Sequence, residues 1–181
     1  MKKICFLGDS IRLNYTPRTI ELLGDGYEYV SPADNCRFAK YTSRMIFDMR
    51  KSLEGSEVIH YNNGLWDVCD LWGEGTFTPI DEYVSTVVAN ARRLLTMTKT
   101  LIFATTTPVR PENPYDKMEN ILAANAAVLP ELRALGVVIN DLHTVIAADI
   151  PRYISDDYIH LTDEGKEAAA QHNAAFIKRY L

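Results

Sequence analysis

Ser10 follows a short apolar run near the start of the sequence, in the stretch FLGDS, and is a candidate nucleophile. A serine hydroxyl is a weak nucleophile at neutral pH and needs a neighbouring base. His160 is a candidate base because it stands in a polar segment, DDYIH, just before a predicted helix. Asp157, three residues earlier, can bond Nδ1 of the imidazole and leave Nε2 to take the Ser10 proton. These residues form a candidate Ser-His-Asp triad, with Asp156 as an alternative acid.

Each of these residues also has a structural interpretation. Ser10 is compatible with a turn or helix cap, and the sequence has no Gly-x-Ser-x-Gly motif. Asp157 is compatible with a cap or turn acid. His60 lies on a predicted strand and His172 within the last predicted helix, so we expect structural roles for both. His143 follows the fifth predicted strand and could lie near the edge of the sheet.

Two polar segments that follow predicted strands offer donors for an oxyanion hole, which needs backbone N–H groups and often an asparagine side chain. ADNCRF (33–38) follows the second strand, and YNNGLWD (61–67) follows the third. Asn62 and Asn63 are well placed at the end of that strand. Asn-Gly is also a strong turn signal, so turn formation is the alternative interpretation.

Substrate contacts could come from two further places in the sequence. Thr107 and Arg110 lie in TTTPVRP (105–111), after the fourth predicted strand, although this segment also suits a loop made rigid by proline. Trp66 and Trp72 could form a flat platform for a sugar, or they could pack in the core or at its rim.

Five apolar, β-rich runs alternate with helical patterns, and this alternation predicts a parallel sheet with helices on both faces. The predicted strands are KICFLG (3–8), YEYV (27–30), EVIHYN (57–62), TLIFATTT (100–107) and GVVIND (136–141). The predicted helices lie at 16–23, 40–53, 81–98, 116–135 and 162–180. Pro130 should break or kink the fourth helix. LWGEGTFTPI (71–80) is predicted to be a surface loop. Sites in such sheets gather at the carboxyl ends of the strands.

Composition narrows the functional classes. The 181 residues suit a single domain over 1–181, and a net charge of −5 disfavours nucleic-acid or anionic-membrane partners. The apolar run after Lys2-Lys3 is too short for a signal peptide, and no segment is long enough to span a membrane, so we expect a cytoplasmic chain. Cys5, Cys36 and Cys69 are odd in number and lack metal-ligand spacing, which predicts free thiols. No metal or organic cofactor is implied.

These segments, in this order, resemble the SGNH hydrolases, also called GDSL-like lipases/acylhydrolases. FLGDSI resembles the family's first block, DNCRF its second, NNGLWD its third and DDYIHLTDEG its fifth. The resemblance spans the chain and implies a three-layer α/β/α sandwich with a five-stranded parallel sheet, a flavodoxin-like arrangement.

The resemblance also implies roles for individual residues. Ser10 would be the nucleophile, His160 the base and then the acid, and Asp157 the orienting acid. Cys36 stands where the second block has glycine, and its backbone N–H would donate to the oxyanion. Trp66 stands in the asparagine position of the third block, so the side-chain donor would be Asn62, with Asn63 as the alternative.

We therefore expect a serine esterase that acts on small acyl esters, acetyl first, with a carbohydrate as the preferred alcohol. Lysophospholipase, thioesterase and arylesterase activities stay open. The rival hypothesis is a catalytically silent domain on the same fold that binds a glycan or a protein. A phosphate-binding flavodoxin-like protein is a third option, but the sequence lacks a Gly-rich phosphate loop after the first strand.

Overall fold

The computed structural model describes residues 1–181, which form one five-stranded parallel sheet with helices on both faces. The strands are β1 (Lys2–Leu7), β2 (Tyr27–Val30), β3 (Ser56–Tyr61), β4 (Thr98–Ala104) and β5 (Val138–Asn140). They are arranged in the order β2-β1-β3-β4-β5, and all four pairings are parallel. This is the flavodoxin-like order. The prediction of a five-stranded α/β/α sandwich is confirmed.

Eight α-helices connect and follow the strands. They are α1 (Ser10–Leu23), α2 (Ala39–Leu53), α3 (Leu65–Val68), α4 (Ile80–Leu95), α5 (Met118–Ala134), α6 (Leu142–Ala147), α7 (Ile150–Tyr153) and α8 (Asp163–Ile177). A 3-10 turn, Lys178–Tyr180, ends the chain's regular structure. Helices α1 and α8 pack on one face of the sheet, and α2, α4 and α5 pack on the other. None of these helices is both long and apolar enough to cross a bilayer.

Alternate residues of the central strands fill two separate cores. In β1, Ile4 and Phe6 face the smaller cluster with α1 and α8, whereas Cys5 and Leu7 face the larger cluster. All four are inaccessible to solvent. Since both faces are buried, the strand is apolar throughout, as a parallel strand covered on both sides should be.

The first helix was predicted to start too late, and the break predicted at Pro130 does not occur. Helix α1 begins at Ser10, well before residue 16, and runs through Pro17; helix α5 continues through Pro130 without ending. A proline inside a helix removes one N–H donor, which frees the carbonyl four residues earlier. Both prolines are exposed, and so is Ala126, whose carbonyl Pro130 leaves free. Each proline therefore lies on the solvent-facing side of its helix.

Candidate active site

The candidate site lies where the strand order reverses, at the carboxyl ends of β1 and β3. Leu7 and Tyr61 pair as the last residues of these strands, and the Asn62 N–H donates to the Leu7 carbonyl at 3.0 Å. The chains that leave the two strands therefore run side by side. Ligands of open α/β sheets bind at such a switch point.

Ser10, His160 and Asp157 lie in a hydrogen-bonded line. The Oγ atom of Ser10 is 2.9 Å from Nε2 of His160, and Nδ1 of His160 is 2.7 Å from Oδ2 of Asp157. Residues 150 positions apart in sequence are thus brought within hydrogen-bonding distance. The three groups have the geometry of a nucleophile, a base and the acid that orients the base.

Asp157 is held by its own loop as well as by His160. Its Oδ1 accepts from the backbone N–H groups of Ile159 and His160 at 3.0 and 2.9 Å and from the Ser155 hydroxyl at 2.7 Å. Partial burial acts to raise the pKa of Asp157, but these bonds and the bond from His160 outweigh it and hold the pKa well below its usual range. Asp157 is therefore an ionised carboxylate fixed against the imidazole.

Asp156, the alternative acid, is turned away from His160. Its side chain is fully exposed, and it pairs with the Arg110 guanidinium at 3.1 Å. Arg110 also donates to the carbonyls of Ile154 and Pro151 at 2.8 and 3.0 Å. Arg110, considered above as a substrate contact, thus braces the loop that carries Asp157 in this structure.

Gly8 and Asp9 shape the turn that presents Ser10. Gly8 has φ +153°, and a Cβ there would lie 1.8 Å from Oδ1 of Asn62, so only glycine fits. Asp9 caps α1 by accepting from the Ile11 N–H at 3.0 Å, and the same oxygen accepts from Nδ2 of Asn62 at 2.9 Å. Burial raises the pKa of Asp9, which these bonds partly offset. The asparagine therefore lies directly against the turn before the nucleophile.

The backbone amide of Cys36 does not have the role expected of it. Its N–H donates to the Gly8 carbonyl at 3.0 Å, and the residue is inaccessible to solvent. An amide has one proton, so in this structure Cys36 cannot also donate to an oxyanion. This part of the sequence prediction is wrong; the bond ties the β2–α2 loop to the Ser10 turn.

Asn62 is better placed than Asn63 for an oxyanion. Asn63 donates to the Arg37 carbonyl at 2.7 Å and accepts from the Tyr61 hydroxyl at 2.6 Å, on the side of the β2–α2 loop. Asn62 contacts Asp9, and only one of its two amide hydrogens is used there.

A donor that the sequence analysis missed is the backbone N–H of Ser10 itself. Because α1 begins at Ser10, this N–H belongs to the first turn, where amides have no intrahelical partner. The positive end of the helix dipole also favours negative charge there. Asp9 immediately before Ser10 is a typical N-cap signal, from which the earlier helix start could have been recognised.

Arg12 is a second residue that the sequence analysis missed. It is 1% exposed, and its guanidinium donates to the carbonyls of Gly8, Pro32 and Asp34 and to the Ser31 hydroxyl, at 2.7–3.2 Å. It therefore joins the β1–α1 turn to the β2–α2 loop. An amphipathic helix pattern does not reveal an arginine whose partners are mostly backbone carbonyls.

A buried chain of polar groups lies behind Asn62. Burial lowers the pKa of His60 to about 3, so its ring is neutral. Asn140 donates to Nε2 of His60 at 3.1 Å, which places the ring proton on Nδ1, facing the Tyr15 hydroxyl at 3.4 Å. Tyr15 in turn donates to Oδ1 of Asn62 at 3.4 Å. His172 bonds the Asn140 oxygen at 2.6 Å and completes the chain. This chain of hydrogen bonds directs the amide nitrogen of Asn62 toward the β1–α1 turn. His60 and His172 therefore have structural roles.

The remaining candidates are spread along the same edge. His143 lies in the first turn of α6, and its Nδ1 is 2.8 Å from the Thr106 carbonyl. Thr107 is buried, and its hydroxyl has no partner in the protein. Trp66 and Trp72 are 42% and 81% exposed, so neither is a core residue. The three cysteines are free, as predicted.

No protein-family model and no curated protein matches the sequence. Solved structures do match over nearly the whole chain. A lipase/acylhydrolase from Enterococcus faecalis has a TM-score of 0.79 at 13% identity, covering 99% of this chain and 96% of its own. An acetylxylan esterase from Geobacillus stearothermophilus has a TM-score of 0.75 at 15% identity, covering 99% and 93%. A GDSL-like lipase from Bacteroides thetaiotaomicron has a TM-score of 0.74 at 16% identity, covering 99% and 89%. At such identities the similarity establishes a shared fold.

Proposed function

We propose that this chain, which has the α/β/α fold of the SGNH or GDSL-like hydrolases, is a serine esterase. The observation that carries the proposal is the hydrogen-bonded line from Ser10 through His160 to Asp157, with distances of 2.9 and 2.7 Å. The line lies at the switch point of the sheet, where a substrate can reach the first turn of α1.

In the proposed mechanism, Oγ of Ser10 attacks the ester carbonyl while Nε2 of His160 takes the hydroxyl proton. The carbonyl oxygen becomes an oxyanion, stabilised by the Ser10 N–H and the free amide hydrogen of Asn62. The imidazolium is stabilised by the Asp157 carboxylate and then gives its proton to the departing alkoxide. The alcohol leaves, and an acyl-Ser10 ester remains.

Water completes the reaction. His160 removes a proton from the water as it attacks the acyl-enzyme, and a second oxyanion forms at the same donors. When this intermediate collapses, Ser10 recovers its proton from His160 and the carboxylic acid is released. No group outside the protein, the ester and water is required by these steps.

The proposed substrate is a small acyl ester, acetyl first, on a carbohydrate. Two features support this choice. Solved acetylxylan esterases share the fold, and the exposed Trp66 shares a cavity wall with Ile159, the neighbour of His160; Trp72 is exposed in the loop that follows. An exposed aromatic side chain can pack against the apolar face of a sugar ring, while the polar groups of the sugar stay at the edge of the contact.

The test is hydrolysis of p-nitrophenyl esters from acetate to octanoate by the wild-type protein and by Ser10→Ala. Ser85→Ala is the matched control, because Ser85 is an exposed residue of α4. We expect wild type and control to hydrolyse the acetate fastest and Ser10→Ala to lose at least 10³-fold in kcat. Equal rates for wild type and Ser10→Ala would refute the assignment.

The second candidate is a catalytically silent glycan-binding domain. It is favoured by one observation, namely that the Cys36 N–H is bonded within the protein and is not available as an oxyanion donor. This candidate predicts binding of a glycan, measured by calorimetry, together with no hydrolysis of any ester in the series. Ester turnover that depends on Ser10 would exclude it.

A further inference from the structure

A small cavity of about 210 Å³ lies beside the candidate triad. It is lined by one carboxylic acid and six residues that are apolar, aromatic or thiol-bearing: Leu65, Trp66, Cys69, Leu71, Tyr115, Asp116 and Ile159. Ile159 directly precedes His160 in the chain. Asp116 is also close enough to Asp9, the residue before Ser10, for the Asp9 charge to raise its pKa. The cavity wall therefore includes the residue next to the candidate base, and its one acid senses the charge of the residue before the candidate nucleophile.

Asp116 is the single acidic residue in an otherwise largely apolar cavity wall. Its side chain is 7% exposed, Oδ2 accepts from Nδ2 of Asn113 at 3.1 Å, and Oδ1 is buried with no hydrogen-bond partner. Burial raises the pKa of Asp116 to about 6, more than the bond from Asn113 lowers it. An unpaired buried oxygen costs free energy unless a partner arrives. A bound molecule with a hydrogen-bond donor would supply that partner.

We propose that this cavity binds the alcohol part of the ester substrate and that Asp116 accepts a hydrogen bond from a free hydroxyl on it. This inference rests on the proposed esterase function and deepens it, since it names the group that the site recognises. The substrate class is an ester of a polyol or saccharide with at least one unesterified hydroxyl near the ester.

The size of the cavity favours the alcohol part over the acyl part. A volume of about 210 Å³ is more than ten times the roughly 10–15 Å³ that a cavity needs to hold one water. An acetyl group has only three heavy atoms and would leave most of this space empty. Trp66 and Tyr115, which are 42% and 52% exposed, add aromatic faces at the opening for the apolar face of a sugar ring.

The experiment compares two esters of equal size, 2-hydroxyethyl acetate and propyl acetate, which differ only in a terminal hydroxyl or methyl group. Acid release is followed by pH-stat for the wild type, Asp116→Asn, Asp116→Leu and the exposed control Asp25→Asn. We expect wild type and control to prefer the hydroxyl ester by tenfold or more in kcat/KM, mainly through a lower KM. Asp116→Leu should abolish or reverse the preference and Asp116→Asn should reduce it, in each case through the KM for 2-hydroxyethyl acetate.

The outcomes separate this inference from the proposed function. Turnover of both esters without a hydroxyl preference, or an unchanged preference in both Asp116 variants, would overturn the inference and leave the esterase intact. Hydrolysis of acetylcholine faster than both esters would also overturn it, because a buried carboxylate beside aromatic rings can instead select a cation.

If neither ester is cleaved, the proposed function fails. In that case, Trp66 fluorescence is followed while methyl β-xyloside is added. A response in the wild type that is lost in Asp116→Leu supports saccharide binding in this cavity, and no response in the wild type refutes it.

Discussion

Replacing Arg12 with alanine should destabilise the protein and disrupt the candidate site together. The guanidinium is buried and donates to four groups: the carbonyls of Gly8, Pro32 and Asp34 and the hydroxyl of Ser31. Its positive charge also lowers the pKa of the buried Asp9 carboxyl. Without Arg12, Asp9 loses this favourable interaction, and the carbonyls of Pro32 and Asp34 lose these donors.

The expected loss in the free energy of unfolding is about 3–5 kcal/mol. Four acceptors would lose a charged donor, and most of the cost comes from the buried partners that stay behind unsatisfied. Hydrogen bonds to a charged group contribute about 1.5–3 kcal/mol each, but they are not additive, so the lower total is the better expectation. Arg12→Lys should lose part of this free energy, since an ammonium cannot match the fork of a guanidinium.

The assay is urea unfolding followed by tryptophan fluorescence, with kcat for p-nitrophenyl acetate measured in native buffer. Arg92→Ala is the matched control, because Arg92 is exposed on α4, and it should change stability by less than about 0.5 kcal/mol. Arg12→Ala should also lower kcat at least tenfold while folded, because the Ser10 turn loses its tie to the β2–α2 loop. A loss below about 1 kcal/mol with unchanged kcat would refute this reasoning.

Three further predictions follow from the local geometry. Gly8→Ala should cost roughly 3 kcal/mol of stability and most of the kcat, because the new Cβ would lie 1.8 Å from Oδ1 of Asn62. Urea unfolding measures the stability and p-nitrophenyl acetate turnover measures the kcat. Values near those of the wild type would contradict the geometry. Asp157→Asn should lower kcat by about 10⁴, whereas Asp156→Asn, at a fully exposed position, should change it less than threefold; equal effects would count against the orienting role of Asp157. Burial raises the pKa of Asp67 to about 7, so between pH ~4 and 7 the folded state holds a proton that the unfolded chain has lost, and stability falls as pH rises. Asp67→Asn should make that slope shallower by up to ~1.4 kcal/mol per pH unit in urea titrations at successive pH values, and an unchanged slope would contradict the burial argument.

The architecture could be predicted from the sequence because strand burial leaves a strong signal. Strands covered on both faces are continuously apolar, and β2 was placed at its observed bounds, Tyr27–Val30. The short helices α3, α6 and α7 were not predicted, since four to six residues are too few to show a helical period. The start of α1 was placed too late, and the break predicted at Pro130 does not occur, because helix propensity is a weak local preference that tertiary context overrides.

The parts of the candidate site that depend on the type of a side chain could be predicted from the sequence. The parts that depend on the direction of backbone groups were much harder to predict. Ser10, Asp157 and His160 were identified from polar groups at strand and helix ends, and the structure brings them within bonding distance. Their catalytic roles stay predictions. The Cys36 amide was misassigned because the direction of a backbone N–H depends on the loop's path, which residue spacing does not determine. Arg12 was overlooked because its partners are contributed by loops distant in sequence.

The central claim is that His160 activates Ser10 as a nucleophile, and covalent labelling tests it most directly. The protein is incubated with a fluorophosphonate, and the adduct is located by peptide mass spectrometry in wild type, Ser10→Ala, His160→Gln and the exposed control Ser85→Ala. The account predicts a single adduct on Ser10 in wild type and control, none in Ser10→Ala, and labelling slowed at least 10²-fold in His160→Gln. No adduct on wild-type Ser10, or equally fast labelling without His160, would contradict it.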